Sequence, residues 1–346
     1  MIPALAGATP PASQNQANAM APLVHEAEIL ASVQEVWNVF STAEGFRKLG
    51  PALAEMDFRP GGTIRSHYHA QGVLGDDGTI EQTILAFEPE RMVAFRISKP
   101  PREFPFPNAW KNVWSVATME GLAGGSTRLR LAMMGYAADE ESQRMRAFFD
   151  QGNAWVLEHL KKSFQPTGQV SPRPSPVSEG PPAVGSDDPL APITVVTRIH
   201  APASEVWNCW ASSEGIKSFL SEGANVQLAV GGPFEIYFDM SAPEGSRGSE
   251  GCRVLAYDPS RMLSFSWNAP PKFPYARDKH TWVVLHVEPA GAHSARVELR
   301  HLGFAENNAA EPGHTEEWVG VRTYFQAAWP QVIAALERHL TTPAAP

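Results

Sequence analysis

The sequence predicts an α+β protein built from two copies of one domain. Each copy is a curved antiparallel sheet of about six or seven strands wrapped on a long C-terminal helix, with two short helices near its start. Three observations carry this reading. The first is a repeat: the stretch Ala-Ser-Val-Gln-Glu-Val-Trp-Asn at 31–38 returns as Ala-Pro-Ala-Ser-Glu-Val-Trp-Asn at 201–208, so that Trp37 and Trp207 stand 170 residues apart. Glu44-Gly45 returns as Glu214-Gly215, Gly61-Gly62 as Gly231-Gly232, Arg91-Met92 as Arg261-Met262 and Pro100-Pro101 as Pro270-Pro271; after small gaps Trp114 meets Trp282. A period this long exceeds any solenoid repeat and matches a whole domain. The second observation is the order of hydrophobic periodicities, which is the same in both copies. The third is the long helix that closes each copy, which is what a one-sided sheet needs to bury its concave face.

The elements follow in order. An alternating strand opens each copy at 24–30 and 193–200. A short helix comes next, with a capping box at Ser32 and Glu35 in the first copy and Pro202 near the first turn in the second. Its apolar face carries Val36, Val39 and Phe40, matched by Val206, Cys209 and Trp210. A second short helix is expected at 42–49 and 212–220, capped by Ser41 and Glu44 in the first copy, with Ala211 breaking that box in the second. Strands are expected at 63–69, 79–87, 92–97, 113–120 and 127–133, and again at 234–239, 251–257, 262–267, 281–287 and 295–301, separated by Gly, Pro and Asp turns. The closing helices span 140–164 and roughly 315–340; the second carries Val321, Phe325, Ala328, Val332, Leu336 and Leu340 on one stripe and Pro330 in its interior, where a bend or a weakened turn is expected. The domains are thus 23–164 and 193–342. A Pro-rich linker occupies 165–192, and residues 1–22, rich in Ala, Pro, Gln and Asn, read as disordered.

The 346 residues suffice for two full cores. A formal net charge of −9 without a dense Lys/Arg stripe argues against nucleic acid as a partner. No run of 18 apolar residues is present, so no membrane span is expected. The cytoplasm is the default compartment. Ala4-Leu5-Ala6 resembles the end of a signal peptide, and a periplasmic or secreted location follows if the chain is a fragment of a longer precursor. Cys209 and Cys252 have no ligand spacing, and Cys209 reads as a core residue. No nucleotide loop, nucleophile elbow or zinc helix is found, and no cofactor is implied.

The Pro/Ser-x-x-Glu-Val-Trp start, the Glu-Gly pair, the Gly-Gly before an aromatic strand and the Pro-x-Arg-Met-x-x-Phe segment resemble the START-like, or SRPBCC, superfamily. Within it the chain is most similar to the domain like the C-terminal part of the activator of Hsp90 ATPase. Glu317-Trp318-x-x-Val321-x-x-Tyr324-Phe325-x-x-Ala328-Trp329 resembles that branch's closing helix. The resemblance covers 23–164 and 193–342. It implies a helix-grip fold with a cavity between sheet and long helix, and a small hydrophobic or aromatic ligand held there in one or both domains. It also implies two alternatives: a co-chaperone-like role with a chaperone partner, and a cyclase, dehydratase or hydrolase acting on an apolar substrate.

Candidate cavity residues are the aromatics Phe95, Trp110, Trp114 and Phe149 in the first copy, and Phe234, Trp267, Trp282, Trp318 and Phe325 in the second. His67 and His69 join them, since i and i+2 share a strand face, but no third metal ligand is identifiable by spacing and no metal is expected. Solvent or a pocket mouth is the expected setting for both histidines. Acid–base chemistry would need an inward-facing group among Glu81, His67, His69, Glu235, Asp239 and His286. Most of these differ between the copies, so a shared scaffold with diverged chemistry is expected.

Overall fold

The computed structural model describes residues 20–165 and 188–342. The chain divides into two compact units, Met1–Val170 and Ser171–Pro346. The expected N-terminal disorder lies almost wholly outside the described residues, as does most of the expected linker.

Domain 1 opens with β1 (Leu23–Ile29), α1 (Val33–Ser41), α2 (Ala43–Phe46) and a 3-10 turn at Arg47–Leu49. There follow β2 (Leu53–Met56), β3 (Thr63–His67), β4 (Ile80–Glu88), β5 (Met92–Lys99), a 3-10 turn at Ala109–Asn112, β6 (Trp114–Gly121), β7 (Thr127–Met134) and the long α3 (Glu140–Ser163). The sheet is antiparallel in the order β1-β7-β6-β5-β4-β3-β2. The helix starts where Asp139 accepts the Ser142 N–H, and it places Glu140 and Glu141 in its first turn and Lys161 and Lys162 in its last, each favourable to the helix dipole.

Domain 2 repeats the order: β8 (Ile193–Ile199), α4 (Ala203–Trp210), α5 (Ser213–Phe219), β9 (Gly223–Val226), β10 (Phe234–Tyr237), β11 (Val254–Asp258), β12 (Met262–Trp267), α6 (Pro274–Arg277), β13 (Thr281–Pro289), β14 (Ala295–Leu302), α7 (Phe304–Ala310) and the long α8 (Thr315–Thr341). Its seven strands form a five-stranded sheet, β11-β12-β13-β14-β8, and a separate β9–β10 pair. The single sheet expected from the sequence is therefore interrupted in this copy. Backbone bonds still cross the gap, Phe234 N–H to the Cys252 carbonyl at 2.8 Å and Val254 N–H to the Gly232 carbonyl at 2.9 Å, and side chains join them: Ser249 Oγ accepts the Ile236 N–H at 2.8 Å, and Glu235 Oε1 accepts the Gly251 N–H at 2.8 Å.

The capping box at Ser32 and Glu35 is present. The second cap sits one residue later than the sequence suggested. Thr42, not Ser41, is the extended cap residue, and its hydroxyl accepts the Gly45 N–H at 3.0 Å. Ser212 does the same for Gly215 at 3.0 Å, so Ala211 breaks nothing. The repeated Glu-Gly pair has a steric cause: a Cβ on Gly45 would lie 1.9 Å from the Asn38 carbonyl oxygen, and one on Gly215 would lie 2.2 Å from that of Asn208. The tight turn between the two short helices admits only glycine. The loops at 100–112 and 270–279 carry short helical turns the sequence did not announce, and α7 was likewise unforeseen. Helix α8 runs unbroken through Pro330, and its buried stripe is Trp318, Val321, Phe325, Trp329, Ile333 and Leu336. Trp329 and Ile333 thus take the inner positions assigned to Ala328 and Val332. Both cysteines are buried and reduced, and burial pushes the Cys252 thiol up to about 12. Among the described residues no helix is long and apolar enough to cross a membrane.

Candidate functional site

The space between sheet and long helix can be compared position by position, because strand registers align the two domains. In domain 2, His301 pairs with Val283, Val283 with Phe265, and the next strand brings Val254. In domain 1 the same row reads Met133, Ser115, Phe95 and Ile84. The long helices match through Glu141 and Glu317, whose carboxylates accept loop N–H groups from Ala109 and Ala276 respectively, both at 2.9 Å.

In domain 2 this space is filled by rings. Trp267 lies 5.3 Å from Trp329 and 6.5 Å from Phe325 between centroids, and Phe234 stacks on Phe265 at 4.0 Å. A buried polar chain runs through them. Trp329 Nε1–H donates to His301 Nδ1 at 2.9 Å, which leaves the imidazole proton on Nε2. Nε2 lies 2.7 Å from Thr281 Oγ1, and that hydroxyl donates to the Trp267 carbonyl at 2.8 Å. Each donor meets one acceptor, so the imidazole is neutral, and complete burial lowers its pKa to about 3. The indole N–H groups of Trp210, Trp267 and Trp318 have no acceptor among the described residues.

In domain 1 the corresponding positions are smaller or more polar. Asn153 stands for Trp329, Ile97 for Trp267, Ser142 for Trp318, Ile64 for Phe234 and Ser66 for Ile236. The helix-to-strand clasp survives as a weaker one, Asn153 Nδ2 to Met133 Sδ at 3.1 Å. Gln82, Ile97 and Phe149 are only half-buried, whereas their counterparts Cys252, Trp267 and Phe325 are buried. Three buried polar atoms of domain 1 have no partner among the described residues: Gln82 Oε1, His25 Nδ1 and Arg146 Nε. Gln82 lies opposite Ile64 and Ile97 on the inward row, and His25 lies opposite Leu131. The other nitrogen of His25 is 3.0 Å from Asp150. In domain 2 Arg322 Nε donates to the Ala191 carbonyl at 2.6 Å, and its counterpart Arg146 reaches the matching Ala21 carbonyl, and that of Pro22, through Nη2 at 3.3 Å. An unpaired buried polar atom costs roughly 1–3 kcal/mol, and ordered water is the usual partner of such atoms.

The sequence candidates separate on this geometry. Phe95 lies on the inward row of domain 1, and Phe149 packs with Phe104 and Phe148 at its edge. Trp110 joins the neighbouring cluster around Leu23, Phe106 and Tyr136. Phe234, Trp267, Trp318 and Phe325 belong to the packed core of domain 2. Trp114 and Trp282 pair with Met134 and Leu302, one residue out of phase with the inward row, and so lie on the opposite sheet face. His67 is 4% exposed rather than solvent-facing. Its strand ends there, so alternation does not carry over to His69, which is exposed. His67 Nδ1 accepts the His69 N–H at 3.0 Å, Nε2 lies 3.2 Å from Asp76, and a Cβ on Gly72 or Gly78 would come within 2.5 Å of the ring. Both nitrogens are used in holding the 68–79 loop. Among the described residues no group of His, Cys, Asp and Glu could hold a metal ion.

Acid–base candidates fare similarly. Glu81 faces Arg65 and Lys99 on the outer row, Glu235 bonds Asn225 and Tyr237, Asp239 is exposed, and His286 alternates with inward Leu285 and Val287. Sequence reasoning missed His25, Gln82, Asn153 and His301. A comparison at the helix spacing of 176 residues, Glu141 to Glu317, would have exposed the exchange of Asn153 for Trp329.

Comparisons with known proteins bear on the scaffold. Among solved structures, the di-domain ARO/CYC BexL from the BE-7585A biosynthetic pathway is 12% identical with a TM-score of 0.35, covering 94% of this chain and 100% of that one. DynU16, from the dynemicin biosynthetic locus, is 16% identical with a TM-score of 0.31, covering 92% and 98%. The Aha1 dimer of Colwellia psychrerythraea is 16% identical with a TM-score of 0.33, covering 42% of this chain and 96% of that one. No curated protein gives a significant match. The family model described as activator of Hsp90 ATPase homolog 1-like protein matches residues 30–165 and again 200–341. Since the two matches span most of the chain and coincide with the two domains just described, the protein belongs to this family and carries its domain in tandem.

Proposed function

We propose that the protein binds a small, largely apolar molecule against the concave face of domain 1, while domain 2 serves as its filled, stabilising copy. The observation that carries this is the exchange of bulky rings for smaller or polar side chains at matched positions, above all Asn153 for Trp329 and Ile97 for Trp267. Smaller inward side chains on the same order of elements would leave room, and a pocket with apolar walls and a few polar atoms is the usual form of a small-molecule site. Phe95, Phe149 and Ile97 supply the walls. Gln82 Oε1 and His25 Nδ1 supply unpaired acceptors or donors that a polar substituent could meet. The acid–base candidates read from the sequence turn away from this face, while His25 on its inward row is held by Asp150. Titrating the full chain with the uncharged fluorophore N-phenyl-1-naphthylamine tests the reading. Saturable enhancement is expected for the natural chain, with at least tenfold weaker binding in Asn153→Trp, whose indole takes up the space. Equal binding by both, or none by either, would overturn it.

A further inference from the structure

One contact between α3 and the opening strand sets domain 1 apart from domain 2. Strand β1 alternates inward and exposed residues, and His25 lies on its inward side between buried Leu23 and Ala27, opposite Leu131. Its Nε2 is 3.0 Å from Asp150 Oδ1 on α3. At the matched positions domain 2 has Val195 and Gln326. Gln326 turns along its own helix, where its Oε1 accepts from Arg322 Nη1 at 2.8 Å. Histidine and carboxylate thus occur together in one copy and are replaced together in the other.

Stability does not account for the pair. The Asp150 side chain is 60% exposed, and a polar contact in that setting contributes little. The other ring nitrogen, His25 Nδ1, is buried with no partner among the described residues, a cost that exceeds what the exposed contact contributes. A carboxylate has only lone pairs to offer, so the Asp150 contact fixes the ring proton on Nε2 and leaves the Nδ1 lone pair to accept. This lone pair belongs to the stretch of concave face where the two copies differ most. Asp150 and Asn153 stand three residues apart on α3, one turn along the same side, and Leu131 and Met133 stand two apart on one face of β7. The contact of Asn153 with Met133, where domain 2 has Trp329 and His301, is therefore the neighbour of the contact of Asp150 with His25.

We propose that His25, oriented by Asp150, selects a ligand that carries a hydroxyl group, whose O–H donates to Nδ1. This rests on the reading that domain 1 holds a small apolar molecule, and adds which polar substituent the site takes: a donor rather than an ether, carbonyl or carboxylate. Asp150 acts as a positioning residue through the ring it holds. Displacement of bound N-phenyl-1-naphthylamine from the full chain tests the assignment, with 2-naphthol, 2-methoxynaphthalene and 2-naphthoate as competitors. 2-Naphthol should bind roughly tenfold more tightly than its methyl ether, the usual worth of one hydrogen bond at a buried acceptor, and 2-naphthoate no more tightly than the ether. His25→Val, which installs the domain 2 residue, should bring 2-naphthol and the ether to equal affinity. Asp150→Ala should shrink the preference and Asp150→Glu should restore it, whereas a residue that only tied helix to strand would shift all three competitors together. Bound N-phenyl-1-naphthylamine in each variant shows that its site is intact. Equal affinity for 2-naphthol and the ether in the natural chain would overturn the proposal and leave Nδ1 to ordered water. So would tighter binding of 2-naphthoate, which needs a proton on Nδ1, or a preference for 2-naphthol that survives His25→Val. If N-phenyl-1-naphthylamine itself does not bind the natural chain, the site and its selectivity fall together.

Discussion

Neutral His301 ties the stability of domain 2 to pH. Its folded pKa is near 3 because the charged ring would be buried, whereas the unfolded residue titrates near its ordinary 6.5. Between these values the unfolded chain binds the extra proton, so stability rises with pH through that window and is fully present above about 6.5. Lowering the pH from 7 to 5 should therefore cost domain 2 about 2 kcal/mol, visible by calorimetry as a fall in its melting temperature. His301→Met, the residue domain 1 uses at this place, should flatten that pH dependence. It should also lower stability at pH 7 by about 1–3 kcal/mol, because the Trp329 N–H loses its acceptor. A steep pH dependence persisting in the variant would contradict the assignment. His301 was invisible to the sequence reading for a physical reason. A histidine in an apolar strand reads as an exception, and only Trp329, 28 residues away, and Thr281 give it meaning. His67 and His69 were conspicuous because the pattern i, i+2 is a strong signal. The strand stops at His67, and with it the reason for convergence.

Elements were more legible than sites, since helices and strands follow from local periodicity. Both long helices, the first cap and most strands stand where apolar spacing put them. What was missed depends on contacts from afar. At the break between β10 and β11 the Ser249 and Glu235 side chains accept the Ile236 and Gly251 N–H groups, and the short turn at Pro274–Arg277 is held by Glu317, whose Oε1 accepts the Ala276 N–H at 2.9 Å. The matching clamp in domain 1 is Glu141, which accepts from Asn108 at 2.7 Å and Ala109 at 2.9 Å and whose carboxyl those two N–H groups hold below its ordinary pKa. Glu141→Ala should release the 100–112 loop, and amide exchange at Asn108 and Ala109 should accelerate several-fold while the strands stay protected; unchanged exchange would show the loop is held otherwise. Pro330 makes a prediction of opposite sign. It removes one backbone donor inside an otherwise continuous helix. Pro330→Ala restores that hydrogen bond and should stabilise domain 2 by about 1–3 kcal/mol, measured as a higher denaturant midpoint. A loss of stability would mean the ring itself packs usefully.

At the scale of the whole chain, the proposed function implies that duplication separates two demands that a single domain must reconcile. A core filled to crystal-like density is stable but leaves no room, and a core that leaves room loses the contacts that would have stabilised it. Domain 2 carries Trp329, His301 and Trp267 at the positions where domain 1 carries Asn153, Met133 and Ile97. The framework that recurs in the sequence, Glu-Val-Trp-Asn and Glu-Gly, sets the backbone in both copies and says nothing about which is filled. Exchange of the clasp makes the division testable. Met133→His with Asn153→Trp should transplant the bonded pair of domain 2 into domain 1, raising the melting temperature of domain 1 while abolishing its binding of an uncharged apolar probe. The reverse exchange, His301→Met with Trp329→Asn, should cost domain 2 about 3–5 kcal/mol, the range for removing a buried large aromatic. Calorimetry of the full chain, with each transition followed by its own variant, would separate the two effects. If the transplant strengthens domain 1 and leaves probe binding intact, the ligand lies elsewhere on the molecule. If it does neither, the two clasps are not equivalent, and the matched helix spacing that aligns them is wrong.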